Sequence, residues 1–261
     1  MIDTHAHLDF EQFDKDRKEV LKRFFDDGGF AIVTIGVDED RIEKTLEIAE
    51  SNEGVFAVVG FHPESQNLDL NQVEDCLKEK CKNIKVKAIG EIGLDYFHSD
   101  QKEEIEFQKK LFIKQLEIAK DLDLPVVIHC RDAYEDLLEI ISRVNFSELK
   151  MVIHCFCGGK EEAEKFLKLP NLNFSFTGNI TFVKNDDKLL QAVRAIPLKR
   201  IMAETDCPFL APVPNRGKRN EPSFVKYVIK KIAEVKELRF KEIEKQTDQN
   251  AIDFFDLKIL K

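Results

Sequence analysis

The sequence of 261 residues predicts a (β/α)8 TIM barrel, and three observations carry that expectation. Eight short apolar runs alternate with segments whose apolar residues recur at helical spacing. Such alternation joins parallel strands through crossovers, and eight units in about 250 residues match a closed barrel. Histidines and carboxylates gather at the ends of the runs, where a barrel of this kind builds its site. An open, doubly wound sheet uses the same alternation, and strand count alone leaves it as the competitor. With no internal repeat, low-complexity tract or long linker, residues 1–261 read as one domain.

The strand-like runs are residues 1–7, 30–36, 55–61, 86–91, 124–129, 151–155, 172–177 and 200–206. After the first, Phe10, Phe13, Val20, Leu21, Phe24 and Phe25 fall near i, i+3, i+4 positions. Gly28-Gly29 stops them, which predicts one amphipathic helical segment. Gln108, Leu111, Phe112, Gln115, Leu116 and Ala119 repeat the pattern ahead of Pro125. Phe224, Val225, Val228, Ile229, Ile232 and Val235 do so near the end. Residues 207–222, rich in proline and glycine, form the one long stretch without periodicity. Loops of that length in compact domains are often functional.

Composition removes several classes. With 43% hydrophobic and 34% charged residues the chain can bury a core, so global disorder is not expected. No apolar run approaches the ~18 residues of a membrane span. Met1-Ile2-Asp3-Thr4-His5 has no basic region followed by an apolar stretch, so no secretory signal is read. Six cysteines in this length do not suggest a disulfide framework; they read as reduced thiols of the cytoplasm. The net charge of −9 argues against coating nucleic acid by bulk charge, leaving room for a local basic patch. No obligate protein partner is visible, and the absence of a leftover apolar stripe points to a monomer.

Five of the six histidines lie at or just after a strand end. His5 and His7 are two apart, leaving the same face roughly 7 Å apart at Cα, a gap one metal ion can bridge. His62 follows the third run, His129 ends the fifth and His154 closes the sixth. Glu91 ends the fourth and Asp206 the eighth. In a closed barrel these ends converge, so His5, His7, Glu91, His129, His154 and Asp206 would surround one point. Each alone is ordinarily a core histidine or a helix cap; six converging residues of metal-ligand type are not. Imidazoles and carboxylates suit zinc, manganese, magnesium, nickel or cobalt, and two such ions can stabilise both oxygens of a hydrolysis. Alternation puts Asp3 beside His5 and His7, and Glu204 beside Asp206, as carboxylates that orient ligands or form ion pairs with an inward cation.

The segments 3–9, 90–96, 128–133, 153–156 and 204–208 resemble the signatures of the TatD family of metal-dependent deoxyribonucleases, of the amidohydrolase-like barrel group. Residues 216–222 and Asn250-Ala251 are similar to that family too, so the resemblance runs from Met1 to about Phe255. It implies that His5, His7 and Asp206 hold one metal, that His129 and His154 hold a second, and that Glu91 bridges them. It also implies phosphodiester hydrolysis in DNA, with single strands preferred and an exonuclease mode. One departure stands out: after Gly60-Phe61-His62-Pro63 the family often has histidine, whereas here Glu64 follows.

On this reading Asp206 accepts a proton from the attacking water and Glu91 completes the catalytic pair. His62 and Arg131 reach the phosphate, and Arg216, Lys218 and Arg219 seat the nucleic-acid backbone. Phe97, Phe156 and Phe209 read as core residues ahead of base-stacking ones, and Cys130, Cys155 and Cys207 as buried thiols turned from the site. The alternatives are a small-molecule amidohydrolase, lactonase or phosphotriesterase-like enzyme, or a D-aminoacyl-tRNA deacylase on the same scaffold. A barrel whose metal is structural is the non-enzymatic competitor.

Overall fold

The structure, a computed structural model, describes residues 1–65, 68–99 and 101–258. Among them eight parallel strands hydrogen-bond in chain order: β1 (Ile2–Ala6), β2 (Ala31–Gly36), β3 (Val55–Val59), β4 (Val86–Asp95), β5 (Val126–Arg131), β6 (Met151–Ile153), β7 (Leu172–Phe176) and β8 (Ile201–Ala203). Closure runs through the segment after β8. Ala6 bridges Cys207, Asp206 N–H donates to the His5 carbonyl at 2.8 Å, and His7 N–H to the Cys207 carbonyl at 2.8 Å. The open doubly wound alternative is thereby excluded.

The helices α1 (Arg17–Asp26), α2 (Glu39–Ser51), α3 (Leu70–Lys80), α4 (Lys102–Asp121), α5 (Tyr134–Ile141), α6 (Lys160–Phe166), α7 (Lys188–Ala195) and α8 (Val225–Lys236) follow the strands in turn. A ninth, α9 (Phe240–Phe255), closes the described part of the chain. Ala31, Val33, Ile35, Val58, Ala88, Val127, Val152 and Met202 pack with Phe254, Phe255 and Leu257, so α9 joins the strand-derived core. Burying each of those two phenyl rings contributes about 2–3 kcal/mol. Asn250 Nδ2 donates to the carbonyls of Leu198 and Ile201, and Asp248 accepts from Ile2 N–H, fixing the helix at the strand starts. The strand ends at the other side are left to chemistry.

Two expectations need correction. The segment read as one helix divides into a 3-10 turn (Glu11–Phe13) and α1, because Arg17 turns back to donate to the Leu8 carbonyl and to Asp14. Strand β4 runs four residues past its predicted end at Glu91, since Ile92 to Asp95 stay in register with Ile128 to Arg131. Gly93 permits this: it has φ 147°, and a Cβ there would lie 2.0 Å from the His129 carbonyl oxygen. The close approach of the two backbones brings Glu91, Asp95 and His129 together.

Candidate metal centre

The register of the sheet shifts between Asp3 and Ala6 on β1 and between Ile89 and Ile92 on β4. Ile2 and Ala88 belong to the apolar cluster among the strands. Strict alternation from either would carry His5 or Glu91 to the opposite face; the irregularities reverse the parity. On β5 and β8 no such device is needed, because Val127 and Met202 share parity with His129 and with Glu204 and Asp206.

The other five expected ligands gather around Glu91. Its Oε2 lies 3.4 Å from His5 Nε2 and 3.7 Å from His7 Nε2. Asp206 Oδ1 stands 3.4 Å from His7 Nε2 and 3.8 Å from His5 Nε2, and the two imidazole nitrogens are 3.3 Å apart. The other oxygen, Oε1, lies 2.7 Å from His129 Nδ1 and 2.6 Å from His154 Nε2. One carboxylate therefore faces two separate imidazole pairs. Asp206, at φ 56° in the left-handed region, is aimed inward by the turn that leaves β8.

The donor set fits divalent cations. Four donors around a zinc-like ion at about 2.0–2.1 Å lie about 3.3–3.4 Å apart, close to the spacings within the His5, His7, Glu91 and Asp206 set. No lysine or arginine among the described residues pairs with Glu91 or Asp206. Burial works to raise Glu91, but His154, His129 and His5 hold its carboxyl well below the usual range. Burial opposes protonation of His154 too, yet Glu91 and Glu204 hold its pKa well above the ordinary value. His7 and His129 shift upward against burial, through Asp206 and through Asp95 with Glu91. His5 alone shifts down, by burial and the neighbouring His154. A field that draws protons onto buried imidazoles also favours a cation seated among them.

Behind these groups lie the carboxylates. Glu204 accepts from Cys155 N–H at 2.7 Å and Ser175 Oγ at 2.5 Å, with its Oε1 3.5 Å from His154 Nδ1, so it stands behind that ring. Asp3 does otherwise. Its carboxylate accepts from Thr205 N–H and Oγ, bracing the turn that carries Glu204 and Asp206, because the shift in β1 parts it from the imidazoles. The residue that sequence reasoning missed is Asp95, whose Oδ2 lies 2.9 Å from His129 Nε2. That contact turns His129 so that Nδ1 faces Glu91. Asp95 shares the parity of Glu91 on one strand, a signal hidden by ending β4 too early.

His62 places Nε2 3.6 Å from Glu91 Oε1, on the His129 side. Arg131 lies over the Phe97 ring at 3.8 Å and Arg216 over Phe182 at 4.4 Å, while Lys218 is exposed. Among the described residues these three cations have no carboxylate partner. Arg219 grips Asp16 through two bonds of 2.7 and 2.6 Å and donates to the Gln12 carbonyl, so it anchors the long loop to α1. Phe156 is buried as expected, but Phe97 and Phe209 are exposed, and Phe209 packs edge-on against Phe10 near His7. Cys207 is buried; Cys155 is not in the helical layer, because its turn (φ 44°) directs Sγ to Thr177 Oγ1. No helix among the described residues is long and apolar enough to cross a membrane.

Comparison with known proteins shows the family and the fold. The pattern of the family described as TatD related DNase matches residues 2–256. The chain is 43% identical over 257 residues to the uncharacterized metal-dependent hydrolase YabD of Bacillus subtilis, covering 98% of each. It is 31% identical to the 3'-5' ssDNA/RNA exonuclease TatD of Erwinia billingiae, covering 98% of this chain and 99% of that one. The solved YjjV structure, a TatD homolog from Escherichia coli, superposes with a TM-score of 0.90 at 28% identity, covering 98% of each chain.

Proposed function

The chain belongs to the TatD related DNase family of metal-dependent hydrolases, and from that premise we propose that it is a two-metal phosphodiesterase acting as an exonuclease on single-stranded DNA, within one domain spanning residues 1–261. The observation that carries the reading is Glu91, whose two oxygens face the His5–His7 pair and the His129–His154 pair. His5, His7 and Asp206 would hold one ion, His129 and His154 the other, and Glu91 would bridge them. When bound, such ions lower the pKa of water and neutralise charge on phosphate oxygens.

The chain's own residues supply the rest. Asp206 is held ionised against its burial by His7 and His5, and so stands ready to take a proton from water. His62 reaches toward the His129 side of the centre, where it donates to a phosphate or leaving oxygen. Arg131, Arg216 and Lys218, without carboxylate partners among the described residues, offer charge to the backbone of an anionic strand on an otherwise acidic protein. A relative carries the name ssDNA/RNA exonuclease, which supports nucleic acid as the substrate class.

The test is chelator-stripped protein, with and without restored divalent metal, assayed on labelled single-stranded DNA, duplex DNA, RNA and aminoacyl-tRNA. Metal-dependent release of nucleotides from single-stranded DNA is expected. Intact DNA alongside turnover of aminoacyl-tRNA, or of small esters and amides, would replace this reading with a deacylase or a small-molecule hydrolase.

A further inference from the structure

We propose that the rim beside the metal centre holds a further divalent cation, ligated by Glu64, Asp95 and His98. His98 Nδ1 lies 2.7 Å from Glu64 Oε1 and 3.1 Å from Asp95 Oδ2, and the three donor atoms fall within 4.8 Å of one another. Donors at right angles around a hard ion at about 2.1 Å stand about 3.0 Å apart, close to the two distances measured from His98 Nδ1. None of these atoms belongs to the ligand set described above.

Charge argues against a plain hydrogen-bonded triad. An imidazole Nδ1 carries one hydrogen, yet two carboxylate oxygens face it. Among the described residues no lysine or arginine pairs with Glu64 or Asp95. Asp95 is 1% exposed, so its charge has little water to screen it. Its Oδ1 accepts from Phe97 N–H and His98 N–H, at 3.0 and 3.1 Å, which fixes the turn that holds His98 over the carboxylate. The same Asp95 Oδ2 meets His129 Nε2, leaving both carboxylates with their charge once that nitrogen donates. Two carboxylates and one imidazole match a manganese- or magnesium-like ion with open positions for water or a phosphate oxygen.

On the phosphodiesterase reading, such an ion would neutralise a phosphate flanking the scissile one; its binding does not depend on that reading. The test is the full chain, stripped with chelator and equilibrated with Mn2+ alone, read by metal analysis and by manganese anomalous diffraction. A peak between Glu64 Oε1, Asp95 Oδ2 and His98 Nδ1 is expected, lost in the Glu64→Gln/His98→Gln double variant while the peaks around Glu91 remain. Either single substitution should raise the Mn2+ concentration for half-occupancy of the rim about tenfold or more. Central peaks without a rim peak in the unaltered protein, or a rim peak that survives the double substitution, overturns the inference. A rim peak without central peaks supports it and overturns the reading of the centre instead.

Discussion

Asp95 stands behind His129, its Oδ2 2.9 Å from the ring's Nε2, and so decides which nitrogen that ring turns toward Glu91. The bond lies one layer outside the six residues gathered at the centre, yet it orients one of them, His129. Asp95→Asn keeps the shape and weakens the acceptor. It should lower metal affinity about 10- to 100-fold while leaving the melting temperature nearly unchanged. Metal titration of stripped protein checks this; unchanged affinity would mean that His129 is oriented by its packing alone.

Asp206→Asn should reduce kcat on single-stranded DNA by about a hundredfold or more, the ordinary range for losing a proton acceptor, with a smaller effect on KM. The substitution keeps the side chain's shape beside His7 and His5, so far-UV circular dichroism should match the parent. A variant that retains turnover would remove Asp206 from its role.

Lys218→Glu and Arg216→Glu should each weaken DNA binding and flatten its dependence on salt, by about 0.7 in log–log slope for each lost phosphate contact on a single strand. Equilibrium binding at several salt concentrations reads the slope. Parallel lines for parent and variants would place the strand elsewhere.

Arg219→Ala separates anchor from binder. The Arg219 guanidinium holds Asp16 below the usual aspartate range. The pair's stabilisation is thus present above the unfolded aspartate pKa and is lost as pH falls through the lower folded value. The stability difference between parent and variant should be constant near neutrality, below about 1 kcal/mol for so exposed a pair, and should shrink in acid. A variant that changes the salt slope of DNA binding with no such stability profile would return Arg219 to the nucleic-acid patch.

Gly93→Ala should destabilise the protein by at least about 2 kcal/mol, because the new methyl meets the His129 carbonyl oxygen and the backbone must open β4 from β5. Chemical denaturation measures it. Metal affinity should fall with stability, since the same opening moves Glu91 and Asp95 away from His129.

The barrel was legible because eight strands and their helices alternate strongly, and the gathering of His5, His7, Glu91, His129, His154 and Asp206 was legible because they are chemically unlike their apolar neighbours. Asp95 was not, since hydrophobic periodicity weakens at polar strand ends and β4 was ended at Glu91. Asp3 misled for a related reason: alternation assumes a regular strand, and β1 shifts register between Asp3 and Ala6. The anchoring role of Arg219 was hidden because a sequence displays its charge but not Asp16, which lies two hundred residues away along the chain. Phe97 and Phe209 ran against composition, which favours burial of phenylalanine, because both stand on loops at the rim.

The claim on which the account depends is that Glu91 joins two ion sites that together hydrolyse the substrate. The most direct measurement follows hydrolysis of labelled single-stranded DNA while divalent metal is titrated into stripped protein, for the parent and for Glu91→Gln. Activity should rise with metal bound in the parent and stay at background in the variant. Hydrolysis by the stripped protein, or an undiminished rate in Glu91→Gln, would contradict it.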